Sequence, residues 1–268
     1  MPVSFAGLRG LLILSLCAVM LVSGCAGNRG QQRLSRFSAE ALADRGQRAL
    51  RAQDYGEAVQ IYEAMTARYP FAPQSRQARL NIIYAYYRLG EKESAKDAAE
   101  TFIRENPAHP RVDYAWYLKG LIDFEKVPST PERWMGVDPS KRPPVSAQDS
   151  INSFRTVVER YPRSLYAPDA RQRMIYMRNR LADYDIHLAH FYEEREAWVA
   201  AAQRARETIE RYDGSPAVKE ALRILIRCYN ELEYPELAAN TEKVFRENFP
   251  EDSLESKKPG SHWWKFWG

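Results

Sequence analysis

The sequence predicts an all-α protein made of five helix-turn-helix repeats, and three observations predict it. The first is a recurring helix ending: Arg68-Tyr69-Pro70, Glu105-Asn106-Pro107, Arg160-Tyr161-Pro162, Arg211-Tyr212-Asp213 and Asn248-Phe249-Pro250. An ending that recurs along a chain marks a repeat architecture, and proline stops a helix because it cannot extend the hydrogen-bond ladder. The second is a small residue twelve positions before the end of each motif, namely Ala58, Ala95, Ser150, Ala201 and Ala238, where two helices can cross closely. The third is that no useful length of chain alternates with period two, so essentially no sheet is expected.

Taken in order, Ser38 is placed to cap a first helix through Ala39-Glu40-Ala41-Leu42. The Gln53-Asp54-Tyr55-Gly56 break ends that helix, and Ala58, Ile61, Tyr62 and Met65 form one face of the next. The second repeat breaks at Leu89-Gly90-Glu91 and the fifth at Glu233-Tyr234-Pro235. The endings lie 37, 55, 51 and 37 residues apart, so the third and fourth units carry additions. In the third, Lys126 to Asp149 holds Pro128, Pro131, Pro139, Pro143 and Pro144 and predicts an inserted loop. In the fourth, no proline or glycine falls between Asp169 and Tyr212, which predicts a long first helix ending near Glu194 to Glu196.

The pattern Gly46, Tyr55, Ala58, Tyr62 and Pro70, followed by Tyr86, Gly90, Ala95 and Pro107, resembles the tetratricopeptide repeat. That resemblance implies a right-handed superhelical solenoid over residues 38–250, whose concave surface suits a peptide or protein. In such units the first helix lines the concave face. Aligned on the repeat ends, this places Arg51, then Tyr84, Tyr87 and Arg88, then Tyr114, Tyr117 and Phe124 on it. Several of these tyrosines are equally readable as packing between helices, as Tyr86 is.

Composition bounds the rest. A chain of 268 residues, 45% hydrophobic and 28% charged, can bury a core, and 39 basic against 35 acidic residues spread along it demand no nucleic-acid partner. At the N-terminus, Arg9 precedes an apolar run from Leu11 to Val22 that is too short for a permanent membrane span. It leads into Val22-Ser23-Gly24-Cys25, which resembles the bacterial lipobox. The resemblance implies a signal peptide over 1–24 and a lipidated linker over 25–37, with diacylglycerol and an N-acyl chain on Cys25. An ordinary secretory signal with a coincidental cysteine is the competing reading. Ala26, standing where an aspartate typically retains such proteins in the inner membrane, implies the periplasmic face of the outer membrane. Cys228 is then left without a disulfide partner and reads as a buried, inert thiol.

Reaction chemistry is hard to find. His187 and His190, three apart with Glu193 and Glu194 following, could imitate a metal site, but an ordinary polar helix face accounts for them better. His109 reads as a loop residue and His262 as part of the tail. No phosphate-cradling glycine loop, serine elbow or cysteine–histidine motif occurs, so neither an enzyme nor a cofactor beyond the lipid is expected. After the polar stretch 253–260 come Trp263, Trp264, Lys265, Phe266 and Trp267, which suit a headgroup layer or a partner's groove. A flexible tail over 251–268 that binds nothing is the alternative.

A closer resemblance rests on Arg68-Tyr69-Pro70-Phe71-Ala72-Pro73 and Ile82-Ile83-Tyr84-Ala85-Tyr86-Tyr87. It extends through Phe102-Ile103-Arg104, Asn106-Pro107-Ala108-His109-Pro110, Asp113-Tyr114, Gly136-Val137-Asp138, Arg180-Leu181-Ala182 and Tyr192 to Ala200. With these motifs the chain is similar to the BamD family, also called ComL or YfiO, the tetratricopeptide lipoproteins of the β-barrel assembly machine. The resemblance implies a non-enzymatic scaffold that binds BamA, is accompanied by BamC and other lipoproteins of the machine, and takes the C-terminal signals of unfolded outer-membrane proteins. It puts a substrate half at about 38–125 and a BamA-docking half at about 163–250, with Tyr69 and Ala72 on the substrate-linked turn and Arg204 on the BamA-linked helix. Ala72 stands where the family leads one to expect glycine, so a role needing a left-handed backbone there is in question. Another lipoprotein scaffold with the same repeats, such as a pilotin or a cell-wall coordination factor, is the alternative.

Overall fold

The computed structural model describes residue 34 and residues 36–124 and 146–254. Ten α-helices and no strands occupy these residues: α1 (Ala39–Arg51), α2 (Tyr55–Arg68), α3 (Pro73–Leu89), α4 (Lys92–Glu105), α5 (Val112–Asp123), α6 (Ala147–Arg160), α7 (Ala167–Glu193), α8 (Trp198–Arg211), α9 (Ala217–Glu231) and α10 (Pro235–Asn248). The chain divides into two compact units, Met1–Leu118 and Lys119–Gly268, the boundary falling within α5.

The repeats are visible in the backbone before any side chain is considered. The five residues that end α2, α4, α6, α8 and α10, which are Tyr69, Asn106, Tyr161, Tyr212 and Phe249, share φ between −135 and −124° and ψ between 41 and 62°. Each donates its N–H to the carbonyl four residues back at 2.8–3.1 Å, and its own carbonyl accepts the N–H three residues on at 2.8–3.1 Å. One turn conformation therefore recurs five times, and it closes on bonds internal to itself.

The turns inside each hairpin obey a second rule. Gln53, Gly90, Glu196 and Glu233 adopt φ of 61, 81, 58 and 60°, and in every case the next helix starts two residues later, at Tyr55, Lys92, Trp198 and Pro235. Three of the four are not glycine, so a left-handed conformation is imposed there by the helices on either side.

Small residues set the close approach inside each hairpin, as the sequence predicts. Ala58, Ala95, Ser150 and Ala201 are fully buried and Ala238 nearly so. Ser150 stays polar in this position because its Oγ donates to the Gly120 carbonyl at 2.9 Å. In the first unit Leu42, Ile61, Tyr62, Met65 and Ile82 form one cluster, and α1 packs on both α2 and α3. In the second, α7 packs on α6, α8 and α9, and Ala189, Ala202, Ala205, Ile224 and Leu225 form a core in which Cys228 is wholly buried. Burial pushes the Cys228 thiol up to about 12, so it has no thiolate character near neutrality.

Ser38 caps α1 by accepting the Ala41 N–H at 3.3 Å, and Asp54 caps α2 through Glu57 at 2.9 Å. The long fourth-repeat helix is α7, with 27 residues, and it ends at Glu193, one residue before the expected interval. The inserted loop expected over 126–149 is shorter at its far end, since α6 already starts at Ala147; positions 125–145 lie outside the described residues. The first residues of the tail expected over 251–268 make contacts with α9 and α10. Asp252 pairs with Lys219 at 3.1 Å, the Ser253 carbonyl accepts from Arg223 at 2.7 Å, and Leu254 packs beside Phe245, so the chain is held through Leu254. The aromatic tail itself, the signal segment and Cys25 lie outside the described residues.

Candidate functional site

The first unit places an aromatic and cationic cluster at its surface. Tyr84 and Arg88 are four apart on α3 and so share a face, while Tyr55 is the first residue of α2. The Tyr55 and Tyr84 rings meet edge to face with centroids 6.0 Å apart. The Arg88 guanidinium sits 4.6 Å from the Tyr55 centroid and 5.6 Å from that of Tyr84, and its Nη1 donates to the Tyr84 hydroxyl at 2.6 Å. That bond raises Arg88 further above its ordinary value. Arg88 is exposed and both tyrosines are half-buried, so the cluster offers two ring surfaces and a fixed positive charge to solvent.

The other expected residues divide by role. Tyr86 is a packing residue, as expected: it lies against the first-unit core, and its hydroxyl donates to Glu63. Burial and that carboxylate push Tyr86 up to about 12. Tyr87 is half-buried, and its carbonyl accepts the Gly90 N–H at 3.2 Å. Tyr114 and Tyr117 are half-buried on α5, with Arg111 4.9 Å over the Tyr114 ring. Arg51 is exposed at the end of α1. Phe124 departs from the expectation of a groove-lining ring. It is half-buried, packing on Phe154 and Tyr176 at 6.2 and 5.6 Å under Arg173, against the cluster of Ala147, Ile151 and Met177.

Tyr69 and Ala72 build their turn. The Tyr69 hydroxyl donates to the Phe37 carbonyl at 3.0 Å, its carbonyl accepts from Ser75 Oγ, and its ring packs on the core. Ala72 has φ −65° and ψ 143°, an ordinary extended conformation, so nothing at this position requires the missing glycine. Between them Phe71 is 97% exposed.

In the second unit, Arg204 pairs with Glu207 at 3.2 Å and keeps a side chain 38% exposed. Arg204 also faces Asp185, which is buried on α7. Burial raises the Asp185 carboxyl above its usual range, against the pull of Arg204 and of a hydrogen bond from Tyr212. About two turns on along α7, a network joins this helix to α9 that no spacing in the sequence reveals. Glu193 accepts Arg227 Nε and Nη2 at 2.9 and 3.0 Å and pairs with His190 Nδ1 at 2.9 Å. Glu220 joins Arg227 at 3.4 Å, Arg223 at 3.3 Å and His190 at 3.6 Å. Both ring nitrogens of His190 thus face carboxylates, and among the described residues no group of three metal-ligating side chains occurs. No helix among them is long and apolar enough to cross a membrane.

Residues 36–244 match the YfiO family, described as outer membrane lipoproteins. The chain belongs to that family. Among its relatives, the outer membrane protein assembly factor BamD of Neisseria gonorrhoeae is 34% identical over 263 residues, covering 96% of this chain and 98% of the relative. The proteins of the same name from Xylella fastidiosa (strain Temecula1) and Vibrio cholerae are 31% and 32% identical, covering 96% and 90% of this chain and 88% and 97% of those proteins. The match runs through the hairpins of both units, so the Tyr55–Tyr84–Arg88 cluster and the Arg204 helix both lie inside it.

Proposed function

We propose that the chain is a lipid-anchored, non-catalytic scaffold for outer-membrane protein assembly, receiving extended client segments on its first unit and docking BamA with its second. The relatives' shared name, outer membrane protein assembly factor, supports the process. In this reading Cys25 carries the lipid and holds the protein at the periplasmic face of the outer membrane, with BamC and other lipoproteins of the machine alongside.

The observation that carries the client site is the guanidinium of Arg88 held against two tyrosine rings at the surface. A barrel protein's C-terminal strand is extended, alternates apolar side chains and ends in a carboxylate. Rings take such side chains at about 0.5–1.5 kcal/mol per good aromatic pair, and an arginine holds the terminus by a charge-assisted bond. In this reading Tyr87, Tyr114 and Tyr117 also meet the client, and the Tyr69–Ala72 turn holds the entry of α3 in place. For BamA, Arg204 is the anchor, because a half-exposed guanidinium already paired with Glu207 can exchange that partner for another carboxylate.

The test is fluorescence anisotropy with a labelled peptide carrying a barrel protein's C-terminal strand. Tyr84→Ala combined with Arg88→Ala should weaken binding about tenfold or more with the helical circular dichroism kept. Parent-like binding by that folded variant refutes the client site. Arg204→Glu should reduce copurification of BamA, and unchanged copurification refutes the docking assignment.

A further inference from the structure

The second unit contains a cleft of about 250 Å³ whose wall carries three arginines and no carboxylate. Arg155 reaches it from α6, Arg178 from α7 and Arg211 from the end of α8, around an apolar floor that includes Ile151, Met174 and Leu181. None of the three is neutralised by a direct ion pair. Arg155 meets only the Asn152 amide oxygen at 3.4 Å, and Arg178 only that of Asn179 at 3.5 Å. Arg178 Nε is buried with no acceptor at all. Arg211 lies over the Tyr212 ring, and the nearby acid, Asp185, already takes a hydrogen bond from Tyr212.

A buried guanidinium N–H without an acceptor is costly, and three like charges around one cleft repel each other. A carboxylate entering the cleft offsets the mutual repulsion, because its two oxygens accept from several guanidinium donors at once. The apolar floor adds a condition on the visitor, since it is covered only by an aliphatic side chain beside the acid. Arg155, Ile175 and Arg211 are exposed, which leaves room for a polypeptide to continue past the cleft on either side.

We propose that this cleft is a docking site for a partner polypeptide that inserts the carboxylate of an internal acidic side chain flanked by an aliphatic residue. It is separate from the Arg88 cluster, and Arg204, about two turns before Arg211 on α8 and facing the same Asp185, does not line it. The test uses the full mature chain and a labelled peptide of about a dozen residues, acetylated and amidated, with a central Leu-Glu-Leu. The parent should bind this peptide, and replacing its Glu by Gln should weaken binding at least tenfold. Arg155→Glu, an exposed position, should weaken it at least tenfold, and Arg178→Gln severalfold. Arg160→Glu, which changes the net charge equally on the same helix but does not line the cleft, should leave it unchanged. Equal losses in Arg155→Glu and Arg160→Glu, or equal binding of the Gln peptide, overturn the proposal. So does no binding of the amidated peptide to the parent, including the case where only a peptide with a free C-terminal carboxylate binds.

Discussion

Gly46 on α1 lies under the ring of Tyr62 on α2 so closely that a Cβ added to it would stand 2.6 Å from two ring carbons. The ring cannot retreat freely, since Tyr62 is only 2% exposed and its hydroxyl accepts from Asn81 Nδ2 at 2.9 Å. Gly46→Ala should therefore destabilise the first unit by about 1–3 kcal/mol, the range for overpacking a filled core. Adding Tyr62→Leu should recover part of that loss by removing the ring. Thermal unfolding followed by circular dichroism reads both, and an unchanged midpoint for Gly46→Ala contradicts the contact. Gly120 stands in the same relation to Phe154, also at 2.6 Å, so its alanine variant should behave alike.

The hairpin turns separate backbone strain from side-chain contact. At Gly90, φ is 81° and nothing lies within 4 Å of an added Cβ, so Gly90→Ala should cost about 1 kcal/mol through the left-handed backbone alone. Glu233 occupies the matching place in the fifth repeat at φ 60° with a side chain already present. Glu233→Gly should shift stability the other way, by about 0.5 kcal/mol, once glycine's larger unfolded-state entropy is set against the relieved strain. Chemical denaturation of the two variants should give opposite changes in midpoint; changes of the same sign contradict the turn assignment.

Acid sensitivity should concentrate at Glu193. Burial pushes its carboxyl up, but hydrogen bonds from His190 and Arg227 outweigh that and hold it below the ordinary 4.5. A carboxyl with a depressed folded pKa binds fewer protons folded than unfolded, so its contribution is complete above 4.5 and fades as pH falls through the folded value. Arg227→Ala should cost about 2–3 kcal/mol at neutral pH, less than for a fully buried pair because Arg227 remains 36% exposed. Urea titrations at pH 7 and pH 4 should show that the gap between parent and variant narrows at the lower pH. A constant gap would assign the loss to packing.

Much of this fold was legible because its signals are local. The Tyr-Pro endings, the small residue twelve back and the Gly90 and Pro235 breaks each act within one hairpin, and the helices begin and end where those residues require. The left-handed turns at Gln53, Glu196 and Glu233 were only partly legible, since glutamine and glutamate carry no conformational signature of their own. The site residues were harder. Tyr84 and Arg88 were readable as an i, i+4 pair on one helix face, but Tyr55, their third member, comes from another helix and carried only the signals of the first break and of the repeat pattern. Arg155, Arg178 and Arg211 are spread over 57 positions (211 − 155 + 1) and three helices, so no spacing rule could join them. The neighbours of Phe124 were not legible because repeat alignment gives a position along a helix and not the side chains that cover it.

The self-contained turns described above have a kinetic consequence. The backbone of the turn at Tyr69 closes on bonds to residues between 65 and 75, with only the Tyr69 hydroxyl reaching farther, to Phe37, and the backbones of its four counterparts are as short-ranged, so each closes a small loop first. Loop-closure entropy rises with the length closed, and chains dominated by near-neighbour contacts cross low barriers to the native state. Refolding from denaturant should accordingly be fast for a chain of this size, with hairpins forming ahead of the contacts that join one hairpin to the next.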